Sequence, residues 1–368
     1  MNIGIIGTRG IPNAYGGFEQ FAQYLGKGLV ARQHAVTVYN SSDHPYQESQ
    51  WEGIRLIHRK DWEGKIGTAG QFLYDLNCLR DARKRNFDIL LHLGYTSDSI
   101  WHWQWPRKAI NIVNMDGLEW KRSKYNAFTQ SFLKKAEKWA VRHGDLLIAD
   151  STGIQQYLQT TYQQSSIFIP YGAELPVRYD PAILDQYQLQ PETYYLVIAR
   201  LEPENNIETI IRGYLLSGSN LPLLIIGNIK QKFGQYLQQQ YPDPRIRFIA
   251  GIYDTRIIDS LRHYARLYFH GHSVGGTNPS LLEAMACQCT IAAHANPFNQ
   301  AVLGTDAWYF SNPEAISQLL QQELPADLIT TRKAANLQKI QTLYHWDSII
   351  DAYEKVFREA LDRRKAGR

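Results

Sequence analysis

Three cysteines among 368 residues are too few for a disulfide framework. Cys287-x-Cys289 has the spacing of a metal knuckle, but no second Cys/His pair stands at ligand distance in the sequence, so buried thiols in a reducing cytoplasm are expected. No apolar run approaches the ~18–20 residues that would span a bilayer. The opening Met1-Asn2-Ile3-Gly4-Ile5-Ile6-Gly7 lacks the basic and apolar regions of a signal peptide. Charge of one sign is also lacking: 39 basic against 35 acidic residues leave +4, too balanced to argue for nucleic acid on totals. There are no repeats of 20–50 residues and no low-complexity segment. With 44% hydrophobic and 20% charged residues, the composition excludes a disordered chain, a collagen-like fibre and a disulfide miniprotein.

What is present is a rhythm of short apolar runs and longer amphipathic stretches. Asn2–Gly7, Ala35–Tyr39, Ile89–Leu93, Ala109–Val113 and Leu146–Ala149 read as buried parallel strands separated by helices. The series restarts at Tyr194–Ala199 and continues through Leu223–Gly227, Ile246–Ile252, Ala265–His270 and Thr290–Ala293. Two such series predict an α/β protein of two Rossmann-like, doubly wound domains, residues 1–172 and 173–345. The prolines and glycine of Ile169–Pro176 mark the junction, and residues 346–368 carry helical spacing and a basic tail. Ligands of such sheets bind outside the carboxyl ends of the strands, so the loops there hold the candidate chemistry.

The first loop, Gly7-Thr8-Arg9-Gly10-Ile11-Pro12-Asn13-Ala14-Tyr15-Gly16-Gly17, is long, glycine-rich and leads into a helix from about Phe18. Gly16 and Gly17 let a backbone approach donor phosphates or an acceptor at a helix N-terminus; a plain βα turn is the alternative. As a dinucleotide fingerprint the loop fails: Gly4-x-x-Gly7-x-x-Gly10 has the wrong spacing, and the second strand ends in Asn40-Ser41 without an acid, which argues against a dehydrogenase. In Gly275-Gly276-Thr277-Asn278-Pro279-Ser280-Leu281-Leu282-Glu283, either Asn278 or Ser280 suits a helix cap and Pro279 its first turn. Gly275 and Gly276 leave room for phosphate oxygens, and Glu283, expected early in the helix, is placed to accept from a ribose diol. Arg200, directly after a strand, suits a phosphate; an ion pair with Glu202 or Glu204 is the competing reading.

Together these segments resemble the retaining GT-B glycosyltransferases of family-4 type, over nearly the whole chain. Ala199-Arg200…Glu204-Asn205-Asn206, Ile226-Gly227 and Gly275…Glu283-Ala284-Met285-Ala286 correspond to the family's G-R-x-x-x-E-K-G, V-G and E-G-F-G-x-P-x-x-E-A-M-A segments. The family's lysine beside the donor diphosphate falls at Asn205, and the first glutamate of its E-x7-E pair at Gly275. With Asn114-Met115-Asp116-Gly117-Leu118-Glu119-Trp120-Lys121-Arg122, these departures look like the pattern of bacterial rhamnosyltransferases of capsule and cell-wall polysaccharide assembly. The resemblance implies two domains facing across a cleft, with the last helix, 346–368, returning to the N-terminal, acceptor-side domain. It implies a donor site of Arg200, Asn205, Gly275, Gly276, Thr277, Asn278 and Glu283. It also implies transfer of L-rhamnose from dTDP-L-rhamnose, with retention, to a saccharide on a polyprenyl diphosphate. No Asp-x-Asp is present and no metal or other cofactor is expected, so leaving-group charge would be met by Arg200 and N–H groups near Gly276 to Asn278. A UDP-sugar donor, or a catalytically silent nucleotide-sugar-binding subunit, are the alternatives; a nucleotide-sugar epimerase has different motifs.

Asp116 and Glu119 follow the fourth strand, and their spacing puts them on one face of a helical turn. An acid there orients an acceptor hydroxyl or takes its proton; a cap and a salt bridge to Lys121 or Arg122 is the other reading. His270 and His272 end a second-domain strand as ligand contacts or structural histidines, and Trp101, Trp103 and Trp105 alternate as core or acceptor-facing rings. Residues 121–143 hold seven Lys/Arg against one Glu, which leaves the rest of the chain at −2. Lys134, Lys138 and Arg142 make one helical stripe, with Tyr125, Phe128, Phe132 and Trp139 nearby. That pattern suits peripheral binding to the anionic inner face of the plasma membrane, or a solvated face over a buried aromatic stripe; no nucleic-acid motif accompanies it.

Overall fold

The computed structural model describes residues 1–115, 117–121 and 125–366. Asp116 lies outside them. The chain divides into two compact units, one of Met1–Lys121, Tyr125–Tyr171 and the C-terminal segment from Trp346, the other of Gly172–His345.

In the first unit, β1 (Asn2–Ile6), β2 (Ala35–Ser41), β3 (Gln50–Trp51), β4 (Ile54–Arg59), β5 (Ile89–Leu93), β6 (Ile110–Asn114), β7 (Leu146–Ala149) and β8 (Ile167–Phe168) form one sheet. Their order is β3-β4-β2-β1-β5-β6-β7-β8, with every pair parallel except β3 with β4. All five residues of β5 and of β6 are buried, as expected of strands covered on both faces. The strand order reverses between β1 and β5, so the loops that follow these two strands part at one end of the sheet.

The C-terminal helix Trp346–Ala366 closes this unit against the helix Gly17–Ala31. A Cβ at Gly28 would stand 2.2 Å from Ile350 Cδ1, so a larger residue there would make the Ile350 side chain shift. Trp346 stacks on Tyr24 at 4.8 Å, Tyr353 meets Phe21 edge-on at 5.3 Å, and Asn114 Nδ2 donates to the Tyr353 hydroxyl at 3.1 Å.

In the second unit, β9 (Tyr195–Ile198), β10 (Leu223–Gly227), β11 (Ile246–Ala250), β12 (Leu267–His270), β13 (Ile291–His294) and β14 (Trp308–Phe310) form a parallel sheet in the order β11-β10-β9-β12-β13-β14. Val197, Ile225 and Phe269 share a core with Ile207, Ile210 and Ile316 of the helices Ile207–Ser217 and Pro313–Gln321. Reversal here falls between β9 and β12. The molecule is thus α/β with two Rossmann-like sheets. No helix among the described residues is long and apolar enough to cross a membrane.

Four strands escape the apolar-run reading. β4 alternates Ile54 and Leu56 with Arg55 and carries His58 and Arg59, while β3, β8 and β14 span only two or three residues. All lie at or beside sheet edges, where a strand needs less apolar surface.

One buried acid tests the packing of the first unit. Asp75, on the helix Thr68–Ala82, is 2% exposed, bonds Ser97 and faces Asp98, which is tied to His92. Burial first, and the Asp98 charge second, push its carboxyl up to about 8. Unfolded, it titrates near ~4. The native state therefore keeps a proton that the unfolded chain has released, and this group's contribution to stability falls as pH rises from about 4 to about 8. Asp75→Asn removes that dependence. Urea unfolding should show the variant gaining on wild type by roughly 1 kcal/mol per pH unit between pH 5 and 8. A difference that does not change with pH would mean that Asp75 is ionised in the fold.

Candidate functional site

At the β9/β12 reversal the two departing loops are tied together. Asn205, in the short turn Pro203–Asn205, is buried and its carboxamide donates to Arg200 O at 2.7 Å. Asn206, in the left-handed region at φ 51°, caps the helix Ile207–Ser217 and donates to Gly271 O at 2.8 Å. Ser273 donates to Glu204 O through both its N–H, at 3.1 Å, and its hydroxyl, at 2.7 Å. Gly271 lets the chains approach, since a Cβ there would stand 2.1 Å from Asn205 O. Arg200 stands exposed at this seam and makes no ion pair among the described residues, with Glu202 and Glu204 included.

Asn278 is the cap of the helix Pro279–Ala286: its Oδ1 accepts from Ser280 N–H at 2.9 Å and its carbonyl from the N–H groups of Leu281 and Leu282. Pro279 has no N–H, so the first turn of this helix is fully occupied. An anion here must be met by the preceding loop, Gly275 to Asn278. Gly275, at φ +130°, has open space where a Cβ would stand, and Thr277 is buried.

Glu283 is the fifth residue of its helix, and its Oε2 forms an ion pair with Arg262 that local spacing did not suggest. Arg262, from the helix Thr255–His263, is 3% exposed and also reaches Asp259 at 3.2 Å and Ser280 Oγ at 3.5 Å. Burial alone would lower the guanidinium, but the Glu283, Cys287 and Asp259 side chains outweigh it and raise its pKa. Sequence reasoning missed this arginine; its only signal is Asp259-x-x-Arg262 on an amphipathic helix. Cys287 and Cys289 are free, buried thiols.

The first unit's reversal, at β1/β5, carries the glycine-rich loop. Gly7 (φ +88°) passes 2.2 Å from Leu93 O at its missing Cβ. Asn40 holds Ile11 at both its N–H and its carbonyl, at 3.1 and 2.8 Å. Arg9 N–H donates to Glu19 at 2.8 Å and the Arg9 guanidinium takes Glu63 in two bonds of 2.9 and 2.7 Å. Burial raises Glu19 above the ordinary carboxylate range. Gly16 caps the helix Gly17–Ala31, and Gly17 opens it in an exposed position. The acid that a dinucleotide site would need at Asn40 is thus replaced by a carboxamide that secures the loop.

Glu119 is half-buried and begins a single turn, Glu119–Lys121; Asp116, the other acid of the expected helical face, lies outside the described residues. Trp105 is buried, Trp101 half-buried and Trp103 54% exposed. On the helix Ala127–His143, Lys134, Lys135, Lys138 and Arg142 are exposed, while Leu133, Ala136, Glu137, Ala140 and Val141 are buried. Glu137 had no role in the sequence reading; it accepts from the hydroxyls of Tyr95, Tyr157 and Tyr162 at 3.1, 2.7 and 2.6 Å.

Two family models cover most of the chain: a domain of unknown function, DUF1972, over residues 1–174, and glycosyl transferases group 1 over residues 182–332. No curated relative matches the sequence. Among solved structures, sucrose-phosphate synthase from Thermosynechococcus elongatus superposes with a TM-score of 0.82 at 17% identity, covering 98% of this chain and 99% of that one. HepE from Anabaena, solved with UDP and glucose, gives 0.75 at 14%, covering 97% and 99%. Trehalose 6-phosphate synthase from Burkholderia multivorans gives 0.71 at 9%, covering 99% of each. Residues 182–332 are a glycosyl transferases group 1 domain, and the chain has the GT-B fold.

In this fold, Arg200, Asn205 and Gly275–Asn278 all belong to the loops at the second unit's reversal, and Glu283 is held by Arg262. Gly16, Gly17 and Glu119 belong to the first unit. Removing Arg262 alone strands Glu283 and Asp259 in a largely buried setting. Arg262→Leu should cost about 3–5 kcal/mol by urea denaturation, and Arg262→Leu/Glu283→Leu should recover part of that loss. A single variant as stable as wild type would show that the ion pair does not organise this helix.

Proposed function

We propose that this protein is a glycosyltransferase that moves L-rhamnose from dTDP-L-rhamnose, with retention, onto a saccharide carried by a polyprenyl diphosphate, in the assembly of a bacterial surface polysaccharide. The observation that carries the reading is the β9/β12 seam: an exposed guanidinium, without an ion pair among the described residues, beside a glycine-bearing loop with open space, in the position where such sheets take ligands. Arg200 and the N–H groups of Gly276 to Asn278 meet charge on the leaving diphosphate, without a metal ion. The C1–O bond to the diphosphate breaks with its electron pair on the phosphate oxygen. The acceptor oxygen attacks from the same face, and its proton passes to the departing diphosphate. Asp116 and Glu119 of the first unit are the candidates for orienting the acceptor hydroxyl. The UDP complex of HepE supports a nucleotide-sugar donor in general and keeps UDP as the alternative nucleotide.

Thermal unfolding with dTDP, UDP, GDP and NAD at one millimolar concentration tests the donor. A nucleotide at ~100 times its Kd adds about 2.7 kcal/mol, several degrees in Tm. Selective stabilisation by dTDP is expected; a UDP preference would keep the fold and change the donor, and no shift from any nucleotide would count against the donor site.

The exposed basic stripe of the helix Ala127–His143, with Phe128 83% exposed at its start, supports peripheral attachment to an anionic bilayer. Each lysine near such a surface contributes ~1 kcal/mol. Reversing Lys134, Lys135 and Lys138 to Glu should therefore weaken sedimentation with phosphatidylserine vesicles by about two orders of magnitude or more, and make the remainder less salt-sensitive. Unchanged partitioning would leave the stripe a solvated face.

A further inference from the structure

His270 is the buried group that the donor reading leaves unused. Side chains alternate along β12: Leu267 and Phe269 enter the core with the helices Ile207–Ser217 and Pro313–Gln321, so Tyr268 and His270 point to the opposite face. On that face the Tyr268 hydroxyl lies 2.9 Å from Ser280 Oγ, in the first turn of the helix Pro279–Ala286. His270 is one side-chain step closer to the carboxyl end of the strand, where the loop that leads to that turn departs. Its ring stacks on His272 at 4.4 Å and 17°, and lies 6.4 Å from the Tyr268 ring.

The ring is fully buried, and neither of its nitrogens has a hydrogen-bond partner among the described residues. Other histidines are different: the rings of His34, His44, His58, His92, His102, His263 and His294 each have a nitrogen within hydrogen-bond distance of a neighbour. Leaving both polar atoms of a buried imidazole unmatched is costly, and native structures satisfy such groups with protein, water or ligand.

The chemistry of the ring narrows the ligand. Burial first, then His272 and Arg262, push its pKa well below the ordinary histidine value, so the ring is neutral and offers one N–H donor and one acceptor nitrogen. A diphosphate oxygen only accepts and favours an imidazolium. An alcohol both donates and accepts, so it matches a neutral ring at either nitrogen.

We propose that His270, backed by the stacked ring of His272, binds a hydroxyl of the hexose carried by the nucleotide donor rather than the diphosphate. The proposal rests on the donor reading above. It gives His270 a specificity role: it reads the sugar and leaves the nucleotide to Arg200 and the loop Gly275–Asn278.

Titration calorimetry on the full chain with two pairs of probes, dTDP against dTDP-L-rhamnose and UDP against UDP-glucose, separates the sugar from the nucleotide. His270→Phe keeps a planar ring and deletes both nitrogens. In whichever pair binds, the variant should hold the bare nucleotide within about twofold of wild type and lose about tenfold in affinity for the sugar nucleotide, as for one lost hydrogen bond. Equal losses for both ligands, or none for either, overturn the assignment while the donor reading stands. A wild type that binds none of the four overturns the donor reading and the assignment with it. If His270→Phe does not fold, the imidazole 15N resonances of wild type decide: those of His270 should shift with the sugar nucleotide and stay fixed with the bare nucleotide. A His270 resonance that responds to neither, or equally to both, overturns the proposal.

Discussion

Where the strand order of a parallel sheet reverses, two neighbouring strands send their chains to opposite faces, and the backbone between them loses its regular partners. In the second unit that gap lies between β9 and β12, and side-chain amides and a hydroxyl close it. Asn206 reaches across to Gly271 O, Ser273 reaches back to Glu204 O, and the missing side chain of Gly271 permits the contact. Arg200 and the loop Gly275–Asn278 consequently leave from the two sides of one cross-linked seam. Asn205 contributes from inside: its carboxamide fixes the Arg200 carbonyl, so its influence on an anion is exerted through where Arg200 stands. A lysine there would bring an ammonium into a position 4% exposed. A site assembled in this way has little ordering left to do when a ligand arrives.

Four buried ionisable groups show four ways of living with low dielectric. Arg262 keeps its charge because Glu283 and Asp259 face it. Asp75, with Asp98 beside it, holds its proton. Glu137 collects three phenolic hydroxyls, which supply the donors that water would have given. His270 is neutral and unmatched. Arg262 and Asp75 each leave one side-chain atom, Nε and Oδ2, without a hydrogen-bond partner among the described residues. The fourth leaves both polar atoms of its ring without a partner among the described residues, and it does so at the end of a central strand beside the glycine-bearing loop.

The two-sheet plan was legible because buried parallel strands are written as unbroken apolar runs: β5, β6, β7, β10 and β12 can be read to within about two residues. The cap at Asn278 and the proline after it were legible for a similarly local reason, since capping depends on two or three adjacent residues. Edge strands were not, because β4 interleaves charges and β14 has three residues. Nor were the partners of buried charges. Glu283 and Arg262 are 21 residues apart, and Glu137 meets Tyr95 from 42 residues away. Local spacing says nothing about such pairs, so it reveals neither the arginine that faces Glu283 nor the three hydroxyls that hold Glu137. The resemblance to family motifs identified which loops matter, whereas the roles of Asn205 and Glu283 within them required the packing.

Glu137 also bears on the basic stripe that shares its helix. Exposed Lys134, Lys138 and Arg142 occupy one arc of the helix Ala127–His143, and buried Leu133, Ala136, Glu137 and Ala140 the opposite one. Apolar burial alone sets such a helix only loosely about its axis, because a small rotation exchanges one partly covered methyl group for another. A carboxylate held by three hydroxyls is far less tolerant. Rotation by a single residue, about 100°, would pull Glu137 from Tyr95, Tyr157 and Tyr162 and expose the buried arc. The acid that partly offsets the charge of this segment in a sequence count is therefore absent from its surface. It serves instead to fix the rotation at which four basic side chains, with Lys134 laid over the Trp120 ring at 4.0 Å, all face outward. The positive face that a bilayer would meet is consequently stronger, and more firmly oriented, than the net charge of residues 121–143 suggests.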